Sequence, residues 1–402
     1  LRLPSLTGLR FVAAALVFAF HTALSGVFTG DVGRHLEFSL SRAATFGVSS
    51  FFVLSGFVLT WSARPGDTTT RFWRRRLVKI YPNHVVTFVA AAVLMTLAGF
   101  AVAAKPALAN LFLIQTWFPV QMDITLSMNI LSWSIACEAF FYLLFPVLLR
   151  VVQAVPVRRL WLAAGGVAVL IVAVPVAVRF LVDGPATYGE ASVAQSWFVY
   201  FFPPVRALEF LLGMVLARIV IAGRWLPLTV GQACVVAVLG YLGALWFPFY
   251  LVTVSGASAI VIVPLIASAA VADWHGKRSW LRAGGLVWLG DVSYAFYMVH
   301  GLILTYAYLV LGAGPWSNWQ ALGVTVLLFG CSLLAAWLLY ATVERPLVRR
   351  WSSPRRRPAS AVASASAGVG ASGGQEPPAA LPADAPRVPD VEPDAPLTPS
   401  LS

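Results

Sequence analysis

Ten apolar runs, each long enough to cross a hydrocarbon core as a helix of about 20 residues, recur along this chain. They cover approximately 9–27, 43–62, 84–104, 130–149, 160–181, 197–217, 227–247, 250–271, 286–311 and 319–343. A backbone in lipid must satisfy its own hydrogen bonds, and runs of this length do so as helices. The connections carry the orientation. With the start placed in the cytoplasm, the inside connections hold twenty Lys or Arg between Arg64 and Arg357. The outside connections hold three, Arg34, Arg42 and Lys105. This asymmetry matches the positive-inside rule, and one missed helix would scramble it. The expectation is an all-α, polytopic membrane protein of about ten transmembrane helices, multi-pass in the cell membrane, with both termini cytoplasmic.

Composition agrees, since 59% of the 402 residues are hydrophobic and 11% charged, too few charges to cover a soluble protein. The net charge of +12 lies between apolar runs, which points to membrane lipids and argues against nucleic acid. Cys137, Cys234 and Cys331 lie singly inside apolar runs, so no disulfide and no metal site is expected. The opening, with Arg2, Arg10 and an apolar centre, reads as an uncleaved signal-anchor. The apolar stretch 107–119 is short and reads as a re-entrant piece on a cavity wall. Residues 1–351 form the membrane domain, and 352–402, rich in Ala, Pro, Ser and Gly, read as a disordered cytoplasmic tail.

Ionisable residues inside spans mark sites by default. Arg10 and His21 lie eleven residues apart on the first span, within about 20° of one helical line and about 16 Å along it. Glu138 enters from the opposite end to a comparable depth, where a carboxylate would hold the His21 tautomer and stabilise its imidazolium. Arg71, Arg75 and Lys79 form an i, i+4, i+8 stripe with Arg74 beside it, and the patch suits a phosphate-bearing ligand. Trp133 and Ser134 are placed to shape or hydrogen-bond a polar acceptor, and His300 to line the cavity or fill the core. Arg206 and Glu209 read as a mutual salt bridge, and Glu344 as a brace against a basic loop.

Over residues 3–351 the chain resembles the acyltransferase-3 family of integral membrane acyltransferases. The resemblance is carried by the Arg10–His21 spacing, Phe51-Phe-Val-Leu-Ser-Gly-Phe57, Arg75-Arg-Leu-Val-Lys-Ile-Tyr-Pro82, Trp133-Ser-Ile-Ala-Cys-Glu138 with Phe141-Tyr142, the Ser293-Tyr…Tyr297…His300 run and Glu344-Arg-Pro346. It implies a membrane O-acyltransferase moving an acyl group, with acetyl expected, from acyl-CoA to a sugar hydroxyl in a glycan, glycolipid or glycosylated natural product. No cofactor beyond that co-substrate is implied. His21 and Glu138 would be catalytic. Arg10, Arg74, Arg75, Arg76 and Lys79 would bind acyl-CoA, with Arg76 and Lys79 as an Arg-x-x-Arg element whose second member is here a lysine. Trp133, Ser134, Tyr142 and His300 would form the acceptor pocket. A single-domain type without a fused hydrolase-like domain is expected. The rival from another class is a transporter or flippase of a glycosylated or acylated lipid, which would release no CoA. A sensor or scaffold has less support, because a structural core needs no His21 or Glu138 in lipid.

Overall fold

The computed structural model describes residues 3–64, 66–188, 191–312 and 316–352. Most of the tail expected over 352–402 lies outside the described residues. Ten long helices stand where the apolar runs predict them: α1 Pro4–Leu24, α2 Ala43–Trp61, α3 Thr69–Leu97, α4 Ser132–Ala154, α5 Leu160–Leu181, α6 Pro203–Ile221, α7 Val230–Trp246, α8 Ala257–Trp274, α9 Gly284–Leu311 and α10 Asn318–Leu339. Among the described residues, eight helical stretches are long and apolar enough to cross a membrane. The remaining two are α6, which carries Arg206, Glu209 and Arg218, and α7, which has 17 residues. The strands among the described residues form one ribbon, Ala186–Tyr188 with Ala191–Ser192. Phe180, Leu181, Trp319 and Val326 stand exposed, as lipid-facing side chains do.

Several boundaries differ from expectation for local reasons. Helix α3 begins inside the basic connection, 15 residues before the expected 84, because Arg and Lys are good helix formers whose heads reach water while the helix continues. Thr68 caps it by accepting from the Arg71 N–H. The expected eighth span breaks at Ser255–Gly256 into Tyr250–Val254 and α8. There the Glu209 carboxylate occupies the space a Cβ on residue 256 would need.

Helix directions follow from the contacts. Thr7 lies against Gly290 and His21 against His300, so α1 and α9 run parallel, as first and ninth spans must. Phe72 stacks on Phe145 at one end of α3, and His84 reaches Ser132 through Asn110 towards the other, so α3 and α4 run antiparallel. Close approach between helices occurs at glycines: a Cβ on Gly213 would lie 2.1 Å from the Val53 oxygen, and one on Gly56 2.0 Å from that of Phe210. The start of α1 is tied down by Asp273, which accepts from the Ser5 N–H and hydroxyl, both at 2.7 Å. An anion there suits the positive end of a helix, and Pro4 wastes no donor in the first turn.

Candidate functional site

Helices α1, α2, α3, α4 and α9 enclose a cavity of about 160 Å³ at the basic end of the bundle. Arg10 from α1 and Arg76 from α3 both line it. Neither makes an ion pair or hydrogen bond among the described residues; the Arg76 guanidinium rests 5.9 Å from the Phe72 ring and its buried Nε has no partner. Glu138 lines the same space and faces these cations. Its carboxylate accepts from the Tyr142 hydroxyl at 3.0 Å. That hydroxyl has one proton to give, so it accepts from Ser55 at 3.2 Å. On the far wall Ser134 donates to the Leu131 carbonyl, so the Tyr297 hydroxyl, 2.8 Å away, donates to Ser134.

The cationic patch divides differently from the expected stripe. The inward face of α3 carries Phe72, Arg76, Ile80 and Asn83, while Arg71 and Arg74 are exposed. Arg75 holds Asp67 in a two-pronged pair, with Nη1 3.0 Å from Oδ1. That pairing keeps the Asp67 carboxyl below the ordinary range for an aspartate. Lys79 lines the cavity but pairs with buried Glu344, whose second oxygen accepts from Asn83 at 2.6 Å. Glu344 is the brace expected of it. Of the five cations expected to bind a ligand, Arg10 and Arg76 face the cavity unpaired, Arg74 is exposed outside its wall, and Arg75 and Lys79 are held by carboxylates.

The expected His21–Glu138 partnership is not formed. Glu138 belongs to the Arg10 and Arg76 cavity, whereas His21 lies further along α1 and is absent from its wall. Its ring turns towards α9, with its centroid 5.5 Å from that of His300. His21 Nδ1 is 2.9 Å from the Val17 carbonyl, and His300 Nδ1 is 3.1 Å from that of Phe296. A carbonyl can only accept, so each Nδ1 carries the proton and each Nε2 of the neutral ring keeps its lone pair. The pair adjoins the cavity through Tyr297, which lines it and whose ring is 5.8 Å from His300.

Among the expected acceptor residues, Ser134 and Tyr142 reach the cavity. Trp133 and His300 do not: Trp133 is buried against Tyr200 and Phe201, and His300 is the companion of His21. The 107–119 stretch is also off this cavity's wall. It forms the helix Ala104–Leu111 and a turn at Gln115–Trp117, pinned by Asn110 to Ser127 and Ser132. Arg206 and Glu209 pair at 3.0 Å as expected, wholly buried, with the guanidinium over Phe52 and Tyr200. Sequence reasoning missed Asp273, although a lone acid beside a basic connection was its available signal.

Fold and site together define a multi-pass helical membrane protein that sets two unpaired guanidinium groups in one cavity and a pair of imidazoles beside it. Residues 3–341 match the acyltransferase-domain family, acyltransferase-3, and the chain belongs to it. It is an enzyme that transfers acyl groups, which sets the transporter and scaffold readings aside. The chain is 39% identical over 369 residues to the acyltransferase MdmB of Streptomyces mycarofaciens, covering 89% of this chain and 94% of that one. It is 28% identical over 320 residues to the exopolysaccharide production protein ExoZ of Rhizobium meliloti, covering 77% and 91%. To the peptidoglycan O-acetyltransferase OatA of Listeria monocytogenes it is 25% identical over 378 residues, covering 86% of this chain and 55% of that relative. No solved structure matches the chain.

Proposed function

We propose that this enzyme moves an acyl group, acetyl in the simplest case, from acyl-CoA to a hydroxyl of a sugar in a glycan, glycolipid or glycosylated natural product. The observation that carries the proposal is the placing of unpaired Arg10 and Arg76 in one cavity, whose Tyr297 packs on His300 beside His21. Neither guanidinium is in an ion pair among the described residues, though Glu138 shares their cavity, and both suit the phosphates of the donor, with Arg74 an exposed cation nearby in sequence. Arg75 and Lys79 contribute less, because Asp67 and Glu344 already neutralise them. The positive-inside rule puts this end, and so the donor, in the cytoplasm of a cell-membrane protein. OatA and ExoZ, by their names, act in peptidoglycan acetylation and exopolysaccharide production, which favours a sugar hydroxyl as acceptor.

In the reaction the hydroxyl oxygen attacks the thioester carbon. The C–S bond breaks, and the hydroxyl proton passes to His21 Nε2, the atom left free by the Val17 bond. The proton then leaves with the thiol. Glu138 holds Tyr142 and balances the cavity's charge. A positioned base contributes about 10²–10⁴ in rate. His21→Ala is therefore expected to lower acceptor-dependent CoA release by at least about 10²-fold while the protein stays monodisperse in detergent. Wild-type turnover in that variant would remove His21 from the mechanism.

A further inference from the structure

Resting on the proposal that His21 is the base, we infer that His300 is its positioning partner, accepting the hydrogen bond that the His21 Nε2 proton makes once the ring is protonated. Glu138 was the sequence's choice for this duty, and it sits in the neighbouring cavity bonded to Tyr142. Beside His21, the ring contacts among the described residues are Phe20 and His300. A charge on His21 thus has one polar ring within reach. His300 is completely buried, and its Nε2 has no hydrogen-bond partner. Phe296 stacks on it at 5.4 Å and Phe18 and Tyr297 flank it, so the ring is held in place while its lone pair stays unused.

The arrangement is one proton short. Both Nδ1 atoms donate to carbonyls of their own helices, so in the resting state each neutral ring carries an Nε2 lone pair and neither has a proton with which to bond the other. Two imidazoles joined by a single N–H···N bond have centroids about 5 Å apart, given a donor–acceptor distance of about 3 Å. The observed 5.5 Å is a separation at which such a bond can form once the two nitrogens face each other. The hydroxyl O–H bond breaks and the proton moves to His21 Nε2 as the acyl carbon changes partners from sulfur to oxygen. The new N–H then turns to the His300 lone pair until the proton is returned to the departing thiolate. The parallel run of α1 and α9, fixed where Thr7 meets Gly290, sets this register.

The test compares His300→Phe, which keeps the aromatic volume, with His300→Gln, whose amide oxygen offers an acceptor near the lost Nε2. Steady-state kinetics on detergent-purified full chain should show His300→Phe lowering kcat by about 10²-fold, within the range of a positioned acid–base group, with KM for acetyl-CoA within about twofold. His300→Gln should recover at least tenfold of that loss. A purely packing role predicts the reverse order. If His300→Phe fails to fold, His300→Asn, whose amide stops short of the site, takes its place against Gln. His21→Ala is run alongside. Full activity there defeats the base assignment itself, whereas an inactive His21→Ala beside a fully active His300→Phe defeats only the partnership. Equal activity of the Phe and Gln variants also overturns it. A His21→Ala, His300→Phe double variant no worse than His21→Ala supports it, because residues acting as one unit are non-additive.

Discussion

A cation's worth to a ligand depends on what already holds it. Arg75 and Lys79 stand in the densest basic stretch of the chain, yet each meets a carboxylate, while Arg76 between them faces the cavity with a buried, unpartnered Nε. Charge-assisted hydrogen bonds contribute about 1.5–3 kcal/mol, so Arg76→Ala or Arg10→Ala should raise KM for acyl-CoA by about 10- to 100-fold. Arg75→Ala should change it by no more than about threefold, since that variant chiefly releases Asp67 at the surface. Donor-concentration series on the three variants check this, and an Arg75→Ala effect equal to that of Arg76→Ala would return the docking role to the whole stripe. Residue types and spacing were enough to single out these arginines in the sequence. Which of them is free depends on Asp67 and Glu344, and the latter lies 265 positions from Lys79.

At the scale of elements, the spans were legible because length and apolarity are local properties that lipid selects directly. Rotation about each helix axis was not, and rotation decides which residue meets which. His21 was placed in the right span, but its partner is set by how α1 seats on α9, and that follows from a backbone contact at Gly290. The same holds where α2 crosses α6. A methyl group on Gly213 would stand 2.1 Å from a backbone oxygen that cannot move without shifting the helix, so Gly213→Ala should cost about 1–3 kcal/mol, read as a lower thermal midpoint in detergent. Gly165→Ala on α5 meets nothing within 4 Å and should be neutral or slightly stabilising, because Gly disfavours helix interiors. Gly290→Ala is the informative third case. There a Cβ would lie 2.0 Å from the Thr7 oxygen, so it should lower turnover as well as the midpoint by parting His21 from His300.

The whole molecule has two chemically distinct ends, and the contacts sort the connections between them. At the basic end Ser5 meets Asp273, Lys79 meets Glu344, Arg218 donates to the Val152 carbonyl and Trp161 to that of Arg224. At the other, Thr29 and Asn318 are hydrogen-bonded and Tyr241 donates to Ser39. Each contact joins connections that ten alternating crossings put on one side. An even number of crossings returns the chain to the side where it began, and by the positive-inside rule the Lys/Arg excess predicts that this side is the cytoplasm. Single cysteines test the assignment once Cys137, Cys234 and Cys331 are replaced by alanine. Asp31→Cys and Lys105→Cys should react with a membrane-impermeant maleimide on intact cells, while Ser62→Cys and Lys277→Cys should react only after permeabilisation; all four positions are exposed. Labelling of Lys277→Cys from outside would turn the Arg10 and Arg76 cavity away from the cytoplasmic pool of acyl-CoA, and the donor would then need another route to the histidines.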